Sequence, residues 1–96
     1  MSLIFDIETD GLLDSTQKLH CIAIYDTETN TLESYSNHRL MEGLLRLHDA
    51  EELIGHNIVK FDLPALQKIY PSFDTRKNCR IFDTLLVSKL VYPDIG

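Results

Sequence analysis

Ile4-Phe5-Asp6-Ile7-Glu8-Thr9-Asp10-Gly11 sets two carboxylates two residues apart in an apolar run that breaks at Asp-Gly. Bulky residues at 2–7 ending in that turn signal predict a buried strand. Side chains at i and i+2 of a strand face the same side, so Asp6 and Glu8 project together near the strand's end. Adjacent carboxylates repel, and burial adds to the cost. A cation between them would relieve both penalties.

Two other Asp-x-Glu pairs occur, Asp26/Glu28 and Asp49/Glu51, and the stretch Ile24-Tyr25-Asp26-Thr27-Glu28-Thr29-Asn30-Thr31 nearly repeats the first. Context separates them. Asp26 and Glu28 fall in a polar, turn-forming segment, where solvated acids are expected to need no partner. Asp49/Glu51 falls between a helical and a strand-like segment, again exposed. The first copy is the candidate site and the second is expected to be a plain turn.

Working outward, residues 18–26 and 31–36 read as two further strands and form a hairpin across that turn. Residues 39–48 carry Leu40, Leu44 and Leu47 at helical spacing. Residues 52–56 and 78–82 read as short strands. Pro64 suits the first turn of a helix over 63–70. Asp83-Thr84 suits the cap of another, over 83–91. The order β-β-β-α-β-α-β-α predicts a mixed sheet with helices on its faces.

The 96 residues, 44% hydrophobic and 25% charged, suffice for one domain with a modest core. No apolar run approaches the roughly 20 residues of a membrane span, and no secretion signal opens the chain. Cys21 and Cys79 are expected to be reduced core residues of a cytoplasmic protein. A net charge of −6 opposes broad non-specific nucleic-acid binding, yet it is compatible with carboxylates that meet phosphate through cations. Arg76, Lys77 and Arg80 form the only basic cluster and read as a solvated loop before a strand.

A second constellation is His56-Asn57-Ile58-Val59-Lys60-Phe61-Asp62, running from a strand's end to a helix start. On its own, Asp62 could cap that helix, Asn57 could be a turn residue, and His56 is equally a turn residue or a group near substrate. Together with Asp6-Ile7-Glu8-Thr9-Asp10-Gly11, however, Asn57-x-x-x-Phe61-Asp62 resembles the first two motifs of the DEDD, or DnaQ-like, 3′→5′ exonucleases. Through "HNIVKFD", "CRIFDTLLVSKLVYPD" and the hairpin order, nearly the whole chain resembles the N-terminal proofreading domain of bacteriophage family A DNA polymerases.

The resemblance implies a ribonuclease H-like α/β fold with a five-stranded mixed sheet, truncated on its C-terminal side, with residues 1–96 as the first portion of an exonuclease domain. It implies that Asp6, Glu8 and Asp62 are catalytic metal ligands for two Mg2+ or Mn2+ ions about 4 Å apart. It further implies that Thr9, Leu12 and Asn57 bind the substrate end, Leu12 as an apolar wedge, and that Phe61 packs. The implied partners are the 3′ end of single-stranded DNA and a polymerase domain in a longer chain, in a bacterial or phage-infected cytoplasm. Asp83 reads as a helix cap or a support for the site. The family's third motif, Tyr-x-x-x-Asp or His-x-x-x-x-Asp, belongs on a later helix. There the chain offers only Tyr92-Pro93-Asp94, with the wrong spacing and a helix-breaking proline. The alternative is therefore a non-catalytic or split interaction domain that self-associates through uncovered apolar surface. A calcium loop through Asp6, Glu8, Asp10 and Gly11 fails at its twelfth position, which is Gln17.

Overall fold

The computed structural model describes residues 1–85. Most of the helix expected over 83–91, and Tyr92-Pro93-Asp94, lie outside the described residues. The elements are β1 (Ser2–Thr9), β2 (Leu19–Asp26), β3 (Thr31–Ser36), α1 (Leu40–Asp49), β4 (Glu52–Gly55), α2 (Leu63–Ile69) and β5 (Arg80–Asp83). They follow the expected order with shifts of one or two residues at most ends. The sheet order is β3-β2-β1-β4-β5. β1–β2 and β2–β3 are antiparallel, while β1–β4 and β4–β5 are parallel. Parallel pairing demands crossovers, and α1 and α2 supply them.

Alternation along β1 sorts its side chains. Leu3, Phe5 and Ile7 are buried, whereas Ile4, Asp6 and Glu8 lie on the other face. The buried set joins Ile22, Ile24, Leu53, Leu44 and Leu47 of α1, and Ala65 and Leu66 of α2 in one core. Both described helices therefore pack on the same face of the sheet. The opposite face carries an apolar row, with Leu32, Tyr25, Ile4, Ile54 and Phe82 aligned across all five strands. Asp6, opposite Ala23, and Glu8, opposite Cys21, continue that face toward the end of β1.

Two glycines let elements approach. A Cβ on Gly43 would sit 3.0 Å from Tyr35 and 3.2 Å from Ile22, so α1 lies tight against the hairpin. A Cβ on Gly55 would fall 2.3 Å from Ile58 Cγ2 and 3.0 Å from the Phe5 carbonyl oxygen. Only glycine lets the chain leaving β4 tuck beneath β1 here. Cys21 and Cys79 are free thiols, half-buried rather than in the core, although Cys79 packs against it.

The expectation for Asp26 is overturned. It closes β2 instead of standing in solvent, and it is only 7% exposed. Its Oδ1 accepts the Glu28 and Thr29 N–H groups, and its Oδ2 pairs with Arg46 at 3.2 Å. Arg46 also donates to the Tyr35 hydroxyl at 2.7 Å, which ties α1 to the β2–β3 hairpin. Alternation along β2 puts Asp26 on the face of Ile22 and Ile24, where α1 packs, so its side chain points toward the helix rather than outward. Glu28 remains exposed, as does Asp49/Glu51.

Removing Asp26 would strand Arg46 and two turn amides. Asp26→Ala is expected to cost on the order of 1–3 kcal/mol, whereas Glu28→Gln should change stability by less than about 0.5 kcal/mol. Urea denaturation of the two variants checks this.

Candidate active site

β1, β4 and β5 run parallel to one another, so their carboxyl ends gather at one edge of the molecule. In open α/β sheets that edge is where ligands bind. Asp6 and Glu8 lie near it on β1, His56 and Asn57 follow β4, and Asp83 ends β5.

The segment after β4 is irregular for local reasons. Asn57 is left-handed, with φ 61° and ψ 31°, a conformation that asparagine tolerates better than most residues. It turns the chain into a wide helical turn at Ile58–Asp62, closed by the Leu63 N–H on the Ile58 carbonyl. Pro64 follows at the start of α2. It has no N–H, and its ring excludes the carbonyl four residues earlier, so a turn of ordinary width could not lead into it. Helical backbone thus begins at Ile58, and Asp62 lies inside it. Its side chain makes no cap bond to α2, which removes the capping role for Asp62.

Asp62 is instead driven under β1. It is 3% exposed. β1 pairs with β4 only over Ser2–Ile4, so beyond that point this edge of β1 has backbone to spare. The Ile7 N–H donates to the Asp62 carboxyl group. The Oδ2 atom is buried without a hydrogen-bond partner. Burial, then the negative charge of Asp6, and then that of Asp83, push Asp62 up to about 7 despite the Ile7 bond. A carboxyl group perturbed by burial and a specific charged neighbour, at the end of a sheet, is a candidate functional group.

Asp83 has two duties, of which the sequence reading set one against the other. Its Oδ1 accepts the Leu85 N–H, the bond of a helix cap. The same oxygen accepts the Asn57 N–H at 2.8 Å, and Oδ2 accepts the Val59 N–H at 3.0 Å. Asp83 therefore fixes the turn that delivers Asp62. No spacing rule points from residue 83 back to residue 57; only the β4–β5 pairing, Gly55 beside Asp83, brings them together.

The remaining candidates divide. The Thr9 hydroxyl donates to the Gly11 carbonyl at 2.8 Å and is engaged in the turn. Leu12 is 79% exposed. Glu8 is exposed on the face it shares with Asp6. Phe61 is half-buried against the core. Asp10 turns away from the Asp6/Glu8 pair. It accepts the Thr16 hydroxyl and the Gln17 and Lys18 N–H groups, which hold its carboxyl at about 2. His56 Nδ1 meets the Thr84 hydroxyl at 3.0 Å. Arg76 holds the Asp49 carbonyl and Arg80 pairs with Glu52, so both have structural contacts. Among the described residues, no three metal-ligating side chains cluster closely enough to hold an ion by themselves. The negative charge of Asp6 acts on Asp62.

A Tyr-x-x-x-Asp spacing does occur earlier in the chain, at Tyr70–Asp74. It forms a turn beyond α2, where the Phe73 N–H bonds the Tyr70 carbonyl and Asp74 Oδ1 accepts the Thr75 N–H. The Asp74 carbonyl oxygen meets His48 Nδ1 of α1. These contacts engage Tyr70 and Asp74 within the turn and against α1.

Residues 3–92 match the profile of the RNase H superfamily, and the chain belongs to it. It is 36% identical to the DNA-directed DNA polymerase of Escherichia phage T7 and 32% identical to that of Enterobacteria phage T3. Each match covers 97% of this chain but only 14% of the polymerase. Among solved structures, E. coli exonuclease I bound to a 5cy-dA13 oligonucleotide superimposes with a TM-score of 0.69 at 16% identity, over 97% of this chain and 30% of that one. The family B DNA polymerase of Pyrobaculum calidifontis gives a TM-score of 0.71 at 15% identity, over 92% of this chain and 16% of that one. The expected ribonuclease H-like fold and the resemblance to DnaQ-like exonucleases and phage polymerases both stand with these matches.

The Asp62 shift fixes a pH dependence. The folded carboxyl titrates near 7 against an ordinary value of 3.8, so the folded state holds the proton more tightly. Stability of the metal-free protein therefore falls as pH rises from about 4 to about 7 and levels off above. In EDTA at pH 8, Asp62→Asn should be the more stable protein, by up to roughly 4 kcal/mol. The gap should close near pH 4, as followed by thermal melts.

Proposed function

We propose that this chain forms part of a 3′→5′ exonuclease site, which hydrolyses the terminal phosphodiester of single-stranded DNA as the proofreading domain of a polymerase. The observation that carries the reading is Asp62, an unsatisfied carboxylate oxygen held under β1 beside Asp6. A purely structural acid would be solvated or fully bonded. The matches to phage DNA polymerases support the same reading.

Asp6, Glu8 and Asp62 offer only carboxylate oxygens, the donor type that Mg2+ and Mn2+ favour. Held by these residues, divalent cations would supply Lewis acidity at the scissile phosphate and offset its charge. The chain's own residues do the rest. Asp6 and Asp62 concentrate negative charge at one spot, which an acidic protein can present to DNA only once that charge is neutralised. Asn57, fixed by Asp83, presents its side chain at the carboxyl end of β4. Leu12 offers an apolar surface to the terminal base, and Thr9 shapes the turn that carries it. Deprotonated Asp62 is the form that accepts a cation, so affinity should rise with pH through about 7.

A second reading, a non-catalytic RNase H-like interaction domain, draws on the absence of a three-carboxylate cluster among the described residues. Mn2+ titration separates the two. Asp6→Asn or Asp62→Asn should weaken Mn2+ binding by at least about tenfold, roughly 1.4 kcal/mol, while Asp26→Asn with Glu28→Gln leaves it within about twofold. Equal losses from the two pairs would refute the assignment. The chain should shorten a 5′-labelled oligonucleotide slowly, from its 3′ end, and not at all after Asp6→Ala. Absence of both Mn2+ binding and digestion would favour the interaction domain.

A further inference from the structure

The loop between β1 and β2 is built twice over. At its neck, the Asp10 carboxylate gathers the Thr16 hydroxyl and the Gln17 and Lys18 N–H groups at 2.9, 3.0 and 3.1 Å, and the Asp10 N–H bonds the Lys18 carbonyl. At its tip, the Ser15 and Thr16 N–H groups both reach the Leu12 carbonyl, which folds the loop sharply and turns the next two carbonyls outward. Lys68 captures both. Its Nζ donates to the Leu13 and Asp14 carbonyl oxygens at 2.8 Å each. These bonds join residues 54 and 55 positions apart in sequence. Lys68 stands in the last turn of α2, the helix that follows Asp62 directly. One ammonium group thus couples the segment that places Asp62 to the loop that displays Leu12.

Resting on the exonuclease reading, we propose that Lys68 is a positioning residue. By holding the Leu13 and Asp14 carbonyls, it fixes the distance between Leu12 and the carboxylates, and so the seating of the 3′-terminal base. The core does not need this contact. The side chain is exposed and α2 is already anchored by Ala65 and Leu66. Two charge-assisted bonds to a six-residue tip are a means of orienting a loop rather than of stabilising a fold.

The test uses the 96-residue chain with Mn2+ and two single-stranded oligonucleotides. They differ only in whether the 3′-terminal nucleotide carries 2-aminopurine or is abasic. Lys68→Met should weaken binding of the 2-aminopurine strand about five- to tenfold and leave the abasic strand within about twofold. Lys68→Arg, which restores a donor pair, should recover most of the loss. Lys68→Met combined with Leu12→Ala should lose no more than Leu12→Ala alone, because the two act on one contact. Amide exchange across residues 11–16 should quicken in Lys68→Met with little change in melting temperature.

Equal weakening of both strands would mean that Lys68 meets phosphate by charge alone, and it would overturn the proposal. So would unchanged binding of the 2-aminopurine strand. Failure of the unmodified chain to bind either strand would instead remove the exonuclease reading, and this inference with it.

Discussion

A carboxylate held under the edge of β1 governs the end of the molecule where chemistry is possible. Asp62 gains one hydrogen bond, from Ile7, and gives up most of its hydration beside a second negative charge, Asp6. That arrangement costs stability at neutral pH, and nothing in the described core recovers the cost locally. It persists because the surrounding backbone leaves the side chain no other course. Gly55 allows β4 to end against the Phe5 carbonyl and Ile58. Asn57 takes the left-handed turn, Asp83 pins that turn by two amides, and Pro64 forces the wide helical turn that rotates Asp62 inward. Each is a cheap local device. Together they hold an unfavourable side-chain position, as expected where strain serves function.

Asp26 lies opposite Leu3, at the start of β1 and far along the sheet from Glu8. There an acid of the same motif is fully engaged with Arg46 and the turn amides. The two copies of one short pattern differ because of what the sheet does beside them. β2 is flanked on both sides, by β1 and β3, and its last residue meets a cation from α1. β1 outruns its pairing with β4, which leaves backbone donors and open space at its far end. Strand pairing, more than the residues of the motif, decides which acid is tied into structural contacts and which stays exposed near a strand's end.

That contrast also sets what could be read before the fold was known. The alternation of Leu3, Phe5 and Ile7 against Asp6 and Glu8 is local and survives intact in β1. The helical spacing in α1 and the order of strands and helices along the chain are equally local, so the elements of a mixed sheet were legible. Asp26 misled because the sequence nearby shows a turn but not Arg46, twenty residues on, arriving from a helix. Asp62 was read as a site candidate, but its burial was not legible. A helix start with an acid before a proline suggests a cap, and the wide turn that cancels the cap depends on the ring of Pro64 meeting backbone above it. Asp83 and Lys68 act across 24 residues or more, through strand register and helix docking, and carry no periodic signal.

The segments that carry the candidate chemistry are connected through side-chain hydrogen bonds as well as through the core. The loop with Leu12 reaches α2 by the Lys68 ammonium, α2 continues directly from the turn with Asp62, and that turn reaches β5 by the Asp83 carboxylate. Hydrogen bonds of this kind fix direction more sharply than apolar packing does, and they can be lost without unfolding the sheet. A site assembled in this way tolerates drift in the residues beneath it provided that each link keeps its charge and reach.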